Sequence, residues 1–225
     1  MRLEELLENV FHVEFRTQYE LNSTFLRIEG HSSHPEFKGR IFRLNEFREW
    51  YIQNTSTGKK TGKFSYYKDY EGYYLLPDDL EPFYEGKFDP LYKGEKELLE
   101  EFKERRGIKW HMIATFRGRR QNNILRHELG HFLFETNPSY KEEVMKVLSE
   151  MKTRDRIRIT NYLVREGYQY NDVDDETHAV LCGEKDYFKD SSVKVTKGID
   201  ETQKKIEEIL RRHLPEELKQ KLKLV

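Results

Sequence analysis

Gln121-Asn122-Asn123-Ile124-Leu125-Arg126-His127-Glu128-Leu129-Gly130-His131-Phe132-Leu133-Phe134-Glu135 is the stretch on which the reading of this chain turns. Its apolar residues recur at helical spacing, so the segment 121–135 is expected to be a helix. Two histidines four apart then stand about 40° apart around the axis, close enough for both imidazoles to reach one ion. Leu125, Leu129 and Phe132 fall on roughly the opposite side, giving an apolar face for packing and a histidine face for a cleft.

Zinc suits this donor set. It takes nitrogen and oxygen ligands in tetrahedral geometry, and a hydrolytic site uses three protein ligands with the fourth position left to water. Glu128, beside the first histidine, is placed to take a proton from that water. The plain alternative is a pair of ordinary surface or core histidines.

The block His127-Glu128-Leu129-Gly130-His131-Phe132-Leu133-Phe134 resembles the active-site helix of the zincin metallopeptidases. The resemblance is specific over about fifty residues and thin elsewhere. The metzincin branch continues with Gly three and His six residues after the second histidine, and Phe134 and Asn137 occupy those positions here. The gluzincin branch instead draws a Glu from a later helix, which the resemblance places within Asp174-Asp175-Glu176-Thr177-His178-Ala179-Val180, with Glu176 as the third metal ligand. Gly130 and Ala179 would let the two helices approach closely. The Glu-x-x-Ala pattern is similar to lethal-factor-like and phage-repressor-cleaving zincins, whereas Val180 stands where thermolysin-like members carry an Asp. Asp174, Asp175 and His178 stay open as rival ligands, and an acidic helix start is the structural alternative for that segment. Similar zincins also place a tyrosine near the third ligand to stabilise an oxyanion, which nominates Tyr168 and Tyr170 beside a core or surface role for each.

Around this motif, the resemblance implies a zincin-like α+β fold with a small twisted sheet and the active-site helix. The chain is expected to form one two-lobed domain, a mixed α/β lobe over 1–120 and a helical, metal-bearing lobe over 121–225. Helices are expected at about 121–135, 139–151, 154–166, 173–183 and 200–212, with a short one after Pro215. Upstream, 3–15 fits a short helix, Phe25-Leu26-Arg27-Ile28 and Arg40-Ile41-Phe42-Arg43-Leu44 alternate like strands, and Asn45 is placed to cap a helix through Ile52. Glu95–Arg106 reads as a helix stopped by Gly107. Trp110–Phe116 follows as a strand, either an edge strand that accepts an extended peptide or a plain core strand. The aromatic stretch 64–92, with Pro77, Pro82 and Pro90, is expected to wrap the surface of a core.

Composition narrows the function classes. Fourteen Phe, 14 Tyr and 2 Trp in 225 residues supply a core. Forty basic against 41 acidic residues leave a net charge of −1, with no field to attract nucleic acid or an anionic membrane. Lys59-Lys60 and Arg117–Arg120 read as solvated loops. The single cysteine, Cys182, excludes an intrachain disulfide and a zinc ribbon, and reads as a buried thiol in a reducing compartment. It also excludes a zinc deaminase, which needs a Pro-Cys-x-x-Cys. The acidic start of the chain lacks a signal-peptide pattern, so a cytoplasmic location is expected. The remaining histidines, His12, His31, His34, His111 and His213, lack ligand-like partners at helical spacing. Together these readings predict a zinc-dependent peptidase acting on a peptide or protein substrate. The alternative is a zincin-like regulatory or interaction protein that binds metal and turns over little. Oligomeric state has no signature in the sequence.

Overall fold

The computed structural model describes residues 1–183 and 193–224. The chain is α+β: among the described residues there are eleven α-helices and one four-stranded mixed sheet. It divides into two compact units, Met1–Gly118 and Arg119–Val225. No helix among the described residues is long and apolar enough to cross a membrane.

The first unit opens with a hairpin of β1 (Arg2–Leu7) and β2 (Val10–Phe15), where the 3–15 segment was expected to be helical. Leu3, Leu6, Leu7, Val10 and Phe11 do fall at helical spacing, but Asn9 adopts a left-handed φ of 59°, and its N–H donates to Glu5 at 2.9 Å. That turn reverses the chain. Val10-Phe11-His12-Val13 then pairs in parallel with β4 (His111–Phe116), and β4 pairs on its other side, antiparallel, with β3 (Gly72–Leu75). The strand order is β1-β2-β4-β3. The 110–116 strand is therefore interior; the edge positions belong to β1 and β3, and the edge-strand expectation for 110–116 fails.

Two short alternating segments were also misread. Phe25–Ile28 lies inside α1 (Gln18–Ser32), capped by the Thr17 side chain, because Leu21, Phe25 and Ile28 keep the helical period over a longer window. Of residues 40–43 only Phe42 is buried, with Ile41 exposed beside it; they pair with no strand, and helix α2 (Leu44–Asn54) begins directly. Its cap is Arg43 rather than Asn45. Lys59-Lys60 belongs to the short helix α3 (Ser56–Thr61). Helices α4 (Pro77–Tyr84) and α5 (Lys93–Phe102) complete the unit, with Gly107 at φ 77° in the turn before β4. The aromatic stretch does not wrap the core but supplies it: Tyr66, Tyr73, Leu75, Leu80, Phe83 and Phe88 are buried with Phe11, Phe25 and Phe102.

The second unit is helical, as expected, with α6 (Gln121–Thr136), α7 (Pro138–Ser149), α8 (Thr153–Glu166), α9 (Val173–Gly183), α10 (Lys197–His213) and α11 (Glu216–Leu222). Local signals set these ends. Asn137 caps α7 with Pro138 at its first position, Gly167 at φ 110° stops α8, and Thr196 caps α10. Helices α6 and α9 form the most extensive helix pair of the unit.

Candidate metal centre

Helix α6 is held by Leu125, Leu129, Leu133 and Phe134, all buried, while Phe132, expected on that face, is only half-buried. This leaves His127 and His131, one turn apart, on a different face, with ring centroids 4.9 Å apart and Nε2 atoms 3.1 Å apart. From α9, Glu176 brings Oε1 to 3.6 Å from His131 Nε2 and Oε2 to 3.9 Å from His127 Nε2. One ligand atom from each residue lies within 4.8 Å of the others. Donors held about 2.0–2.2 Å from a tetrahedral zinc stand roughly 3.3–3.5 Å apart, so the observed spacing suits a shared cation.

Small residues on both helices make this approach possible. A Cβ on Gly130 would stand 3.2 Å from His178 Nε2 and 3.5 Å from the Ala179 Cα; one on Gly183 would stand 2.4 Å from the Asn123 carbonyl oxygen and 2.9 Å from the His127 Cβ. Glu176, Ala179 and Gly183 thus lie on the α9 face that meets α6. The pairing of Gly130 with Ala179 was expected; Gly183 was not, although it extends the same spacing by one turn.

The three rival ligands take other roles. Asp174 accepts two hydrogen bonds from Arg156, at 2.8 and 3.0 Å. Asp175 lies 3.0 Å from His131 Nδ1, and His178, fully buried, stacks on Phe134 with centroids 4.6 Å apart. A carboxylate on the far nitrogen fixes the imidazole with Nδ1 as donor, which turns the Nε2 lone pair toward the shared position. His127 Nδ1 has no hydrogen-bond partner among the described residues, so Asp175 is the one orienting carboxylate seen on the histidine pair.

The surroundings push the two imidazoles in opposite directions. Burial by itself lowers His131, but the hydrogen bond from Asp175 and the charges of Glu176, Asp175 and Glu128 outweigh it and raise the imidazole to about 9. Burial, with the charges of His131 and His178, holds His127 well below the ordinary imidazole range. Asp175 is itself pushed up by burial, yet its bond to His131 and that ring's charge bring it below the usual carboxylate range. One ring of the pair therefore carries a proton among carboxylates while the other is held neutral.

Glu128, between the histidines in sequence, is buried at 7% exposure, and its charge is felt at His131. The two nominated tyrosines differ in exposure. Tyr168 follows Gly167 with its N–H on the Leu163 carbonyl and is half-buried, and Tyr170 opens a short 3-10 turn before α9 at 72% exposure. Cys182 is buried against Tyr140, whose hydroxyl lies 3.3 Å from Sγ. Among the other histidines, His12 meets Thr115, His111 meets Tyr74, His31 meets the Arg40 carbonyl and His213 meets Glu143. Comparison of the chain with family models, with curated proteins and with solved structures found no match.

Proposed function

We propose that the chain is a zinc-dependent peptidase of zincin-like fold, with the metal held by His127, His131 and Glu176 and with peptide or protein as substrate. The observation that carries this reading is the convergence of two imidazole Nε2 atoms and one carboxylate within 4.8 Å on α6 and α9. His127, His131 and Glu176 would hold zinc, which when bound would supply the Lewis acidity that activates water at neutral pH. Glu128 accepts the proton that the nucleophile sheds and returns it to the leaving amine, the two halves of general base and general acid catalysis. Asp175 holds the His131 ring in the tautomer that leaves Nε2 free. Of the two tyrosines, half-buried Tyr168 rather than the largely exposed Tyr170 is the candidate oxyanion donor.

The test is elemental analysis of the native chain and of His127→Ala, Glu176→Ala and Glu128→Gln, each then incubated with a mixed peptide library. The expected result is near one zinc per native chain, loss of zinc in the first two variants, and zinc retained without cleavage in the third. A native chain that stays free of zinc after reconstitution overturns the metal assignment. Zinc bound without cleavage of any peptide overturns the peptidase and leaves a metal-binding regulatory protein.

A further inference from the structure

Residues 38–68 carry eight Lys and Arg against two acids, Glu46 and Glu49, in a chain whose net charge is −1. The near-neutral total conceals this local excess. Arg40 meets Glu36 and Glu46, but Arg43, Arg48, Lys59, Lys60, Lys63 and Lys68 are exposed and form no ion pair among the described residues. They run the length of α2, from Arg43 at its cap to the short helix α3, whose Gly58 packs against Tyr51 and Ile52 near the end of α2. The 11 residues of α2 span roughly 16 Å, so these cations form a track for several anionic groups rather than a site for one.

An open aromatic surface adjoins the track. Asn22 donates to the Tyr67 and Tyr70 carbonyls at 3.1 and 2.9 Å, and Gln18 to the Lys68 and Tyr70 carbonyls at 3.1 and 2.9 Å, which fixes residues 67–70 on the first turns of α1. There the Tyr19 ring, 60% exposed, meets Tyr67 edge to face at 4.8 Å. Burial raises the Tyr67 hydroxyl and the charge of Arg48 opposes that rise, so α2 brings a guanidinium near the same ring. Both tyrosines line a cavity of about 640 Å³, room for a flat ring system, together with Leu44, Arg16 and Lys93. In its wall Arg16 pairs with Glu20 and Lys93 with Glu97, while Arg27 is held by Glu95 and covers the Tyr92 ring at 4.3 Å. Arg48 at its edge is unmatched, the Met1 ammonium in the wall adds to it, and Tyr19 and Tyr67 are the rings left open. Cations beside an open aromatic face suit the phosphates and bases of a single strand, whereas an anionic lipid surface or a run of carboxylates uses the cations and offers Tyr19 no flat partner. We propose that the first unit binds single-stranded nucleic acid, with phosphates along α2 and α3 and a base on Tyr19, independently of the metal centre.

The test is fluorescence anisotropy of a labelled single strand of about twelve adenine nucleotides, in DNA and RNA forms, with the full chain. A duplex of equal length, polyglutamate and phosphatidylserine vesicles, matched in charge concentration, serve as competitors. The single strand is expected to bind more tightly than any competitor, with no response to zinc chelation, and to lose affinity steeply as salt rises. Joint replacement by Lys59→Gln, Lys60→Gln and Lys63→Gln, all at exposed positions, is expected to weaken binding about tenfold or more and to flatten the slope of log affinity against log salt by roughly 2. Tyr19→Ala, at an exposed ring, is expected to weaken binding about tenfold and leave that slope unchanged, the signature of stacking rather than charge. Lys103→Gln, whose ammonium is matched by Glu100, is the control expected to change nothing. Absence of binding at about 50 mM salt, tighter binding of the duplex, polyglutamate or vesicles, or full affinity in either the lysine variant or Tyr19→Ala overturns the proposal.

Discussion

Asp175 does at the residue scale what no motif announces. It is more than a helix start: its Oδ1 stands on His131 Nδ1, and its side chain is 37% exposed, so removing it leaves the core intact. Asp175→Ala is expected to weaken zinc about 10–100-fold with little change in thermal stability, read by competition with a chromogenic chelator. Unchanged affinity would mean that packing alone orients His131. His127 and His131 were legible because their spacing has a geometric consequence, whereas Glu176 came only from the resemblance, and the choice among Asp174, Asp175 and Glu176 depends on which way each side chain leaves the helix. Cys182 gives a second residue-scale expectation. Burial drives its thiol up to about 12, against a smaller lowering by Tyr140. At pH 8 roughly one molecule in 10⁴ then carries the reactive thiolate. Labelling by a thiol reagent should be very slow in the native chain, rise about tenfold per pH unit through the alkaline range, and become fast in denaturant. Rapid labelling at pH 8 under native conditions would contradict the burial.

At the scale of elements, the α6–α9 pair is where packing and chemistry meet. A methyl group at Gly183 would collide with backbone, the Asn123 carbonyl oxygen at 2.4 Å and the His127 nitrogen at 3.1 Å, and no side-chain rotation relieves that. Gly183→Ala must move the helices apart at the turn that carries His127. The expected result is a melting temperature lower by several degrees, from a cost of about 1–3 kcal/mol, together with weaker zinc binding. A variant with lowered stability and undiminished zinc affinity would show that the ligands tolerate the shift. Most helices of the second unit were readable from length and period, with side-chain caps at α7 and α10, and in the first unit α2, α5 and β4 were read in the same way, whereas the β1–β2 hairpin and α1 were not. The 3–15 segment satisfies the helical period and becomes a hairpin because strand pairing with β4 rewards Val10–Phe15 more than an isolated short helix would. Phe25–Ile28 errs in the opposite direction: four residues are too few to tell a period of two from 3.6.

Across the molecule, the first unit is built from aromatic rings with one buried charge pair at its centre. Arg27, 4% exposed, joins α1 to Glu95 of α5 through Nε and Nη2, and its remaining donors reach the Phe88 and Pro90 carbonyls. Its guanidinium also lies 4.3 Å from the Tyr92 ring centroid. No pattern in the chain signals this pair, because Arg27 sits in an apolar run and Glu95 in a charged one. Their partnership arises only when the stretch expected to lie on the surface, 64–92, folds inward and brings its carbonyls to the guanidinium. Removing one partner strands a buried charge, so Arg27→Met and Glu95→Gln are each expected to cost about 3–5 kcal/mol, read as a lower midpoint in urea. The double variant Arg27→Met with Glu95→Leu leaves no charge behind and should recover much of that loss, since an ion pair out of water contributes little beyond an apolar pair of similar volume. If instead the double variant is as unstable as the sum of the singles, the two residues act separately, and the carbonyls of Phe88 and Pro90, rather than Glu95, are what hold Arg27 in place.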